Sequence, residues 1–120
     1  MESIKAIHHP GWHGTSSIEI LGQRIDSVIT GAAERRWGEQ QIDILVEEMS
    51  ELIVELLHYR RGRGVPTHLA EEMADVLISM DSVIKHLDVK ANSSFCPVLR
   101  DFVGAKMNRL EEMLKEDKDV

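Results

Sequence analysis

A chain of 120 residues with 42% hydrophobic residues is long enough to bury the core of one globular domain. Its formal net charge of −7 argues against a general binder of nucleic acid polymers, and no apolar run is long enough to span a membrane. The single cysteine, Cys96, allows no internal disulfide, so we expect a cytoplasmic protein.

The apolar composition predicts an all-α fold. Aromatic residues make up only 4% of the sequence, and Leu, Ile, Val, Met and Ala suit packed helices better than a sheet.

Residues 1–14 are predicted to form an irregular, solvated arm. The alternative is that the three histidines of this arm bind a metal adventitiously. Residues 15–31 are predicted to form a first helix, capped by Ser16 or Ser17 and ended or bent at Gly31.

Three further helices are predicted from apolar residues at helical spacing, over residues 39–58, 67–87 and 98–115. A basic, glycine-containing segment from Arg60 to Gly64 separates the first two, and Pro66 suits the start of the second. Residues 88–97 are predicted to be a loop. With the first helix, these elements predict a single domain resembling a four-helix bundle.

An internal repeat links two of these helices. Residues 45–53 and 69–77 match at an offset of 24 residues, with Leu, Glu, Glu and Met identical at corresponding positions. Chance similarity between amphipathic helices is the alternative to duplication. The repeat places Glu51 at the position that Asp75 occupies in the second copy. Two helices are therefore predicted to present nearly the same surface.

Acidic residues border the apolar stripe of both helices. On a helix, Glu48, Glu51 and Glu55 lie within ~60° of one another, and Glu72 and Asp75 take the equivalent place on the next helix. If the two helices pack antiparallel, these edges can converge, and a divalent cation would offset their repulsion. A solvated acidic face neutralised by nearby lysines and arginines is the alternative.

The ordered acidic pattern resembles a known family. Glu48-Met49-Ser50-Glu51 followed by Glu72-Met73-Ala74-Asp75 is similar to the ExxE…ExxD pattern of the MazG-like, all-α nucleoside triphosphate pyrophosphohydrolases. The context of these motifs is similar as well. It comprises the segment from Trp37 to Ile42, the segment from Glu71 to Val76 and the basic segment from Lys106 to Leu110. The resemblance covers the core, residues 37–115, and is closest to small, phage-type members.

The resemblance implies hydrolysis of a nucleoside triphosphate to the monophosphate and pyrophosphate. It implies that Glu48, Glu51, Glu72 and Asp75 hold Mg²⁺, with Mn²⁺ as a possible substitute. It also implies that Lys106 and Arg109 contact the phosphates, and that the chain forms a homodimer or a homotetramer. One departure concerns the basic motif, because many relatives have Asn where this chain has Gly104.

Several residues have more than one interpretation. Glu47 and Glu48 are both candidates for positioning or deprotonating the attacking water. Trp37 is a candidate for stacking on the base, with a place in the core as its alternative. Glu55 and His58 form an ExxH motif, but a di-iron bundle needs a second such motif and the sequence has none.

Two functions therefore follow from the sequence. The first is a metal-dependent nucleoside triphosphate pyrophosphohydrolase. The second is a non-catalytic helical module, which is either an assembly module whose acidic residues are merely solvated or a nucleotide-binding regulator that keeps the metal site but hydrolyses slowly. Dependence on magnesium separates the assembly module from both the enzyme and the nucleotide-binding regulator, and turnover separates the enzyme from the regulator.

Overall fold

The computed structural model describes residues 39–117, together with Gly22, Val28, Ile29 and Gly31. Three helices make up most of this part: α1 (Gln40–Arg60), α2 (Pro66–Lys90) and α3 (Phe95–Asp117). No strand occurs among the described residues, so the predicted all-α class is confirmed for them. The finer prediction of a MazG-type four-helix bundle stays a prediction. The predicted arm, and the predicted first helix apart from its described residues, lie outside this part of the chain.

Contacts within the chain define two compact units, Met1–His86 and Leu87–Val120, with the boundary inside α2. The prediction of a single domain is not tested by this division, and each unit is described by itself. Of the three described helices, none combines the length and the apolar composition needed to cross a membrane.

The turn between α1 and α2 depends on two glycines. Gly62 has a φ of 76°, in the left-handed region that glycine adopts without steric cost. The backbone N–H groups of Arg63 and Gly64 both donate to the carbonyl oxygen of His58, at 2.9 and 3.0 Å. A Cβ atom added at Gly64 would lie only 2.7 Å from the backbone N and Cα atoms of Tyr59. The close return of the chain over the end of α1 therefore requires glycine at position 64.

The loop predicted over residues 88–97 was too long, because α2 continues to Lys90 and α3 already begins at Phe95. Pro97 lies in the first turn of α3, where a backbone N–H has no partner within the helix and proline is tolerated. The N–H of Cys96 donates to Oδ1 of Asp88 at 2.8 Å. A carboxylate from the end of α2 therefore caps the start of α3, which shortens the connection to four residues.

The core of the described residues is small. Ile29, Leu45, Leu69 and Val83 are the buried apolar side chains among them. Most of the apolar stripes predicted from helical spacing remain exposed, including Val46, Ile53 and the stripe of α3. Helical spacing shows that a helix has an apolar side, but it does not show how much of that side a neighbouring helix covers. The predicted stripes are therefore only partly buried.

Candidate metal centre

Two antiparallel helices bring the predicted acidic residues together within the first unit. Carboxylate oxygens of Glu48, Glu51 and Glu72 lie within 4.8 Å of one another. Glu48 is also within hydrogen-bonding reach of Asp75 across the two helices, and Glu72 is within reach of Glu51. The structure thus gathers all four residues predicted as metal ligands into one group, which we call the acid cluster.

The register of the two helices explains this convergence. A step of three residues forward on α1, from Glu48 to Glu51, is matched by a step of three residues back on α2, from Asp75 to Glu72. The same antiparallel order holds near the far end, where Nε2 of His86 lies 3.5 Å from Oε1 of Glu39. Because the repeat places acids at equivalent positions of both helices, antiparallel packing brings the two pairs face to face.

The acid cluster disfavours full ionisation. Burial is the main cause that raises the pKa of Glu48, and the charges of Asp75 and Glu51 raise it further. Burial likewise raises the pKa of Glu72, followed by the charge of Glu51. The Oε2 atoms of Glu48 and Glu72 are both screened from water and accept no hydrogen bond from the described residues. The cluster therefore carries buried acceptor atoms, and the neighbouring charges that shift the pKa values of Glu48 and Glu72 are acidic.

The donor set of the acid cluster fits a hard divalent cation. All four side chains offer carboxylate oxygen, which Mg²⁺ and Mn²⁺ prefer over nitrogen or sulfur ligands. The two buried Oε2 atoms are acceptors that a cation could satisfy. If each carboxylate gave one oxygen to an octahedral Mg²⁺, about two positions would remain for waters or substrate phosphate oxygens.

Two neighbouring acids lie outside the group of converging oxygens. Glu47 is exposed on α1, although its charge contributes to the raised pKa of Glu48. Glu55 lies 3.8 Å from Nδ1 of His58 on the same helix, so this ExxH motif forms a local contact. Neither residue belongs to the three acids whose oxygens approach within 4.8 Å.

The predicted substrate contacts are distributed differently. Lys106 and Arg109 are exposed on α3, in the second unit. The two side chains lie one helical turn apart, so they can bind the same anion. Trp37, the predicted base-stacking residue, lies outside the described residues.

A cleft that the sequence interpretation missed lies in the first unit. Its volume is about 260 Å³, and it is lined by Val28, Ile29, Gln41, Ile44, Ile78, Ser79 and Ser82. Gln41 and Ser82 are each only 4% exposed, and the Ser82 hydroxyl donates to the carbonyl oxygen of Ile78 at 3.0 Å. Spacing carried a signal for this cleft, because Gln41 and Ser82 each lie two helical turns from an acid of the cluster.

Comparison of the chain with models of protein families, with curated proteins and with solved structures finds no match. The resemblance to the MazG-like family therefore depends on the motifs in the sequence.

Proposed function

We propose that this protein is a magnesium-dependent nucleoside triphosphate pyrophosphohydrolase. The observation that carries the proposal is the convergence of Glu48, Glu51 and Glu72, with carboxylate oxygens within 4.8 Å of one another, beside Asp75. Solvated acidic faces occur on many helices, but here two acidic edges face each other and two carboxylate oxygens are screened from water. Such a group is stabilised by a cation that also binds phosphates.

Glu48, Glu51, Glu72 and Asp75 are the residues that would hold the metal. A bound Mg²⁺ would neutralise charge on the triphosphate and polarise the phosphoryl group under attack. The protein's own contribution is to hold four carboxylates on two helices, joined by a turn that glycine keeps tight.

The reaction requires a base for the attacking water. In the proposed step, the water oxygen forms a bond to the α-phosphorus, the bond from that phosphorus to the bridging oxygen breaks, and pyrophosphate leaves. The water proton passes to a carboxylate, for which Glu48 and the adjacent Glu47 are the candidates. The raised pKa of Glu48 favours Glu48 as a proton acceptor, whereas the exposure of Glu47 gives Glu47 direct exchange with solvent.

Cationic side chains serve the leaving group. Lys106 and Arg109 are the proposed phosphate contacts, since charge-assisted hydrogen bonds stabilise negative charge on departing pyrophosphate. For the nucleoside we propose the cleft beside Gln41 and Ser79. Ser79 lies one helical turn from Asp75, ~6 Å along α2, and the cleft combines apolar walls with buried polar groups. Trp37 stays a proposed stacking partner for the base.

The reaction is tested by measuring pyrophosphate release from a panel of standard and modified nucleoside triphosphates, with Mg²⁺, with Mn²⁺ and with chelator. We expect metal-dependent release of pyrophosphate with an equal amount of monophosphate. Release of orthophosphate instead would move the attack to the terminal phosphorus and contradict the proposed mechanism. Absence of turnover by folded protein would contradict the enzyme proposal altogether.

The role of the cleft is tested by filling it. Ser79→Leu adds a bulky side chain to the lining, and we expect KM for the preferred nucleotide to rise by at least about tenfold, through loss of ~1.4 kcal/mol of binding. Ala70→Leu adds the same bulk at an exposed position of α2 and should leave KM unchanged. Equal kinetics for the two variants would place the nucleoside elsewhere.

The alternative is a non-catalytic helical module, favoured by the many apolar side chains that the described helices leave exposed. A nucleotide sensor of this kind should gain thermal stability from Mg²⁺ with nucleotide but show no turnover. A purely structural assembly module should respond to neither. The same purified protein therefore distinguishes the three cases through two measurements, melting temperature and pyrophosphate release.

A further inference from the structure

The line along which α1 and α2 face each other, which we call the seam, continues past the acid cluster. Glu51 of α1 and Glu72 of α2 are within hydrogen-bonding reach of each other across the seam. Four residues forward on α1 correspond to four residues back on α2, so the same register places Glu55 opposite His68. The seam therefore runs from the cleft, through the acid cluster, to the turn between the two helices, all within the first unit.

The end of the seam at this turn is basic, and we call Arg61, Arg63 and His68 the basic turn. Between Glu55 and Glu71 the sequence has no acidic residue, and this is the longest such run within residues 39–117 of a chain whose formal net charge is −7. Arg61 and Arg63 are exposed, and no ion pair of the described residues includes either of them. Their positive charge is therefore available to an anionic ligand.

Backbone hydrogen bonds hold the two arginines of the basic turn on an ordered stretch of chain. The N–H of Arg61 donates to the carbonyl oxygen of Leu57 at 3.1 Å, and the N–H of Arg63 donates to that of His58 at 2.9 Å. Binding an anion therefore requires ordering of side chains alone, which lowers its entropic cost. A guanidinium group can donate two parallel hydrogen bonds to phosphate oxygens, so phosphate is the anion that this pair of arginines fits best.

The alternative is that basic residues merely stabilise the end of α1. This explanation suits Arg60, which lies in the last turn of α1 and ~180° around the helix from Glu51. It does not suit Arg63, because Arg63 lies beyond the end of α1 and the effect of the helix dipole fades within one turn. Nor does it suit His68, which belongs to α2.

We propose that the basic turn binds the terminal phosphate of the nucleoside triphosphate, an inference that rests on the proposed function. The seam and the substrate have the same polarity, since a neutral base fits the cleft and the anionic end of the nucleotide fits the basic turn. His68 lies ~6 Å along α2 from Glu72, which the two phosphates beyond the acid cluster can span. Lys106 and Arg109 stabilise the departing pyrophosphate, whereas the basic turn selects triphosphates over diphosphates.

Binding of inorganic tripolyphosphate, measured by calorimetry at low ionic strength with chelator present, tests the site without turnover or metal. We expect the wild type to bind, and Arg61→Gln/Arg63→Gln to raise Kd at least about tenfold, because charge-assisted hydrogen bonds are lost. Arg60→Gln/Arg100→Gln removes the same charge at exposed positions off the seam and should change Kd by less than about threefold. No binding by the wild type, or an equal loss in the two variants, would overturn the inference.

Steady-state kinetics with Mg²⁺ test the role of the site in the proposed reaction. In Arg61→Gln/Arg63→Gln we expect KM for the triphosphate to rise at least about tenfold while kcat changes less than about threefold, since the terminal phosphate is bound equally in substrate and transition state. The corresponding nucleoside diphosphate, measured as a competitor, should keep its Ki because it lacks that phosphate.

Equal rises in KM and in the Ki of the diphosphate would rule out recognition of the terminal phosphate. A fall in kcat at unchanged KM would place the arginines in the transition state instead and also contradict the inference. Absence of turnover by the folded wild type would contradict the proposed function alone, and the tripolyphosphate titration would still decide whether the basic turn binds a chain of phosphates.

Discussion

The acid cluster between α1 and α2 and the apolar surface of α3 depart from ordinary surface chemistry in opposite ways. In the first unit, carboxylate oxygens of Glu48 and Glu72 are screened from water although charged groups prefer to be hydrated. On α3, the side chains of Phe102 and Met107 are more than half exposed to water, although apolar groups prefer to be buried. The first departure calls for a cation and the second for an apolar partner.

The two regions also belong to different units. The four acids lie within the first unit, whereas Phe102, Met107 and the other exposed apolar residues of α3 lie in the second. A change in the acid cluster should therefore alter metal binding, whereas a change at an exposed apolar residue of α3 should leave metal binding unaltered.

The largest effect is expected from removing a carboxylate of the cluster. Glu48→Ala or Asp75→Ala should each lower kcat/KM by at least roughly 100-fold, because each deletes a proposed ligand of the metal that neutralises the triphosphate. The same variants should lose the increase in Tm that Mg²⁺ produces in the wild type. Steady-state kinetics and thermal unfolding with and without Mg²⁺ measure both.

Glu71→Ala is the matched control for these variants. Glu71 is an exposed acid directly before Glu72, so its removal changes the net charge equally without touching the cluster. Wild-type kinetics are expected for it. Activity that survives both Glu48→Ala and Asp75→Ala with Mg²⁺ present would contradict the assignment of the site.

The acid cluster was predictable because helical geometry converts spacing into position. The repeat at an offset of 24 residues places equivalent acids beside the apolar stripes of two consecutive helices. A short connection then leaves antiparallel packing as the simplest arrangement, and the structure has the Glu48–Asp75 and Glu51–Glu72 pairs that follow from it. The three helices α1, α2 and α3 were predictable for a related reason, because their apolar residues recur at helical spacing.

The cleft, the start of α3 and the extent of burial were not predictable in the same way. The spacing of Gln41 and Ser82 from the acids of the cluster was a signal for the helical part of the cleft, but it gave no indication that Ile29, from a separate segment, would line the cleft as well. The early start of α3 depends on Asp88 accepting a hydrogen bond from Cys96. Exposure of the α3 stripe depends on what lies beside the helix, whereas periodicity shows only that a helix has an apolar side.

A smaller effect, on stability alone, is expected from the turn that aligns the acid cluster. Gly64→Ala introduces a Cβ atom 2.7 Å from backbone atoms of Tyr59, and backbone cannot move aside as a flexible side chain can. We expect the free energy of unfolding to fall by about 1–3 kcal/mol. Denaturant titration measures the loss, which should accompany weaker stabilisation by Mg²⁺ because the register of α1 and α2 shifts.

Gly104→Ala is the counterpart on α3. Nothing lies within 4 Å of a Cβ atom added there, and the position is on the side of the helix away from the apolar surface. Alanine favours a helix over glycine, so we expect a gain of about 0.5–1 kcal/mol. A loss from Gly104→Ala comparable to that from Gly64→Ala would contradict the exposure of this part of α3.

The smallest effect is expected from neutralising the acid cluster without changing its shape. In the folded protein the pKa values of Glu48 and Glu72 are raised above 4.5, so above that pH the folded state binds more protons than the unfolded state. Stability without metal should therefore fall as the pH rises through the raised pKa values. Glu48→Gln and Glu72→Gln remove this penalty, so with chelator present they should raise Tm slightly at neutral pH and leave it unchanged in acid.

The sign of that difference should reverse when Mg²⁺ replaces the chelator. Metal binding needs the ionised carboxylates, so the wild type should gain stability with rising pH, whereas the glutamine variants should gain little. A purely structural role for Glu48 and Glu72 predicts the same order of Tm values in both conditions. Thermal unfolding of three proteins at two pH values, with and without metal, therefore decides whether the repulsion within the acid cluster serves to bind a cation.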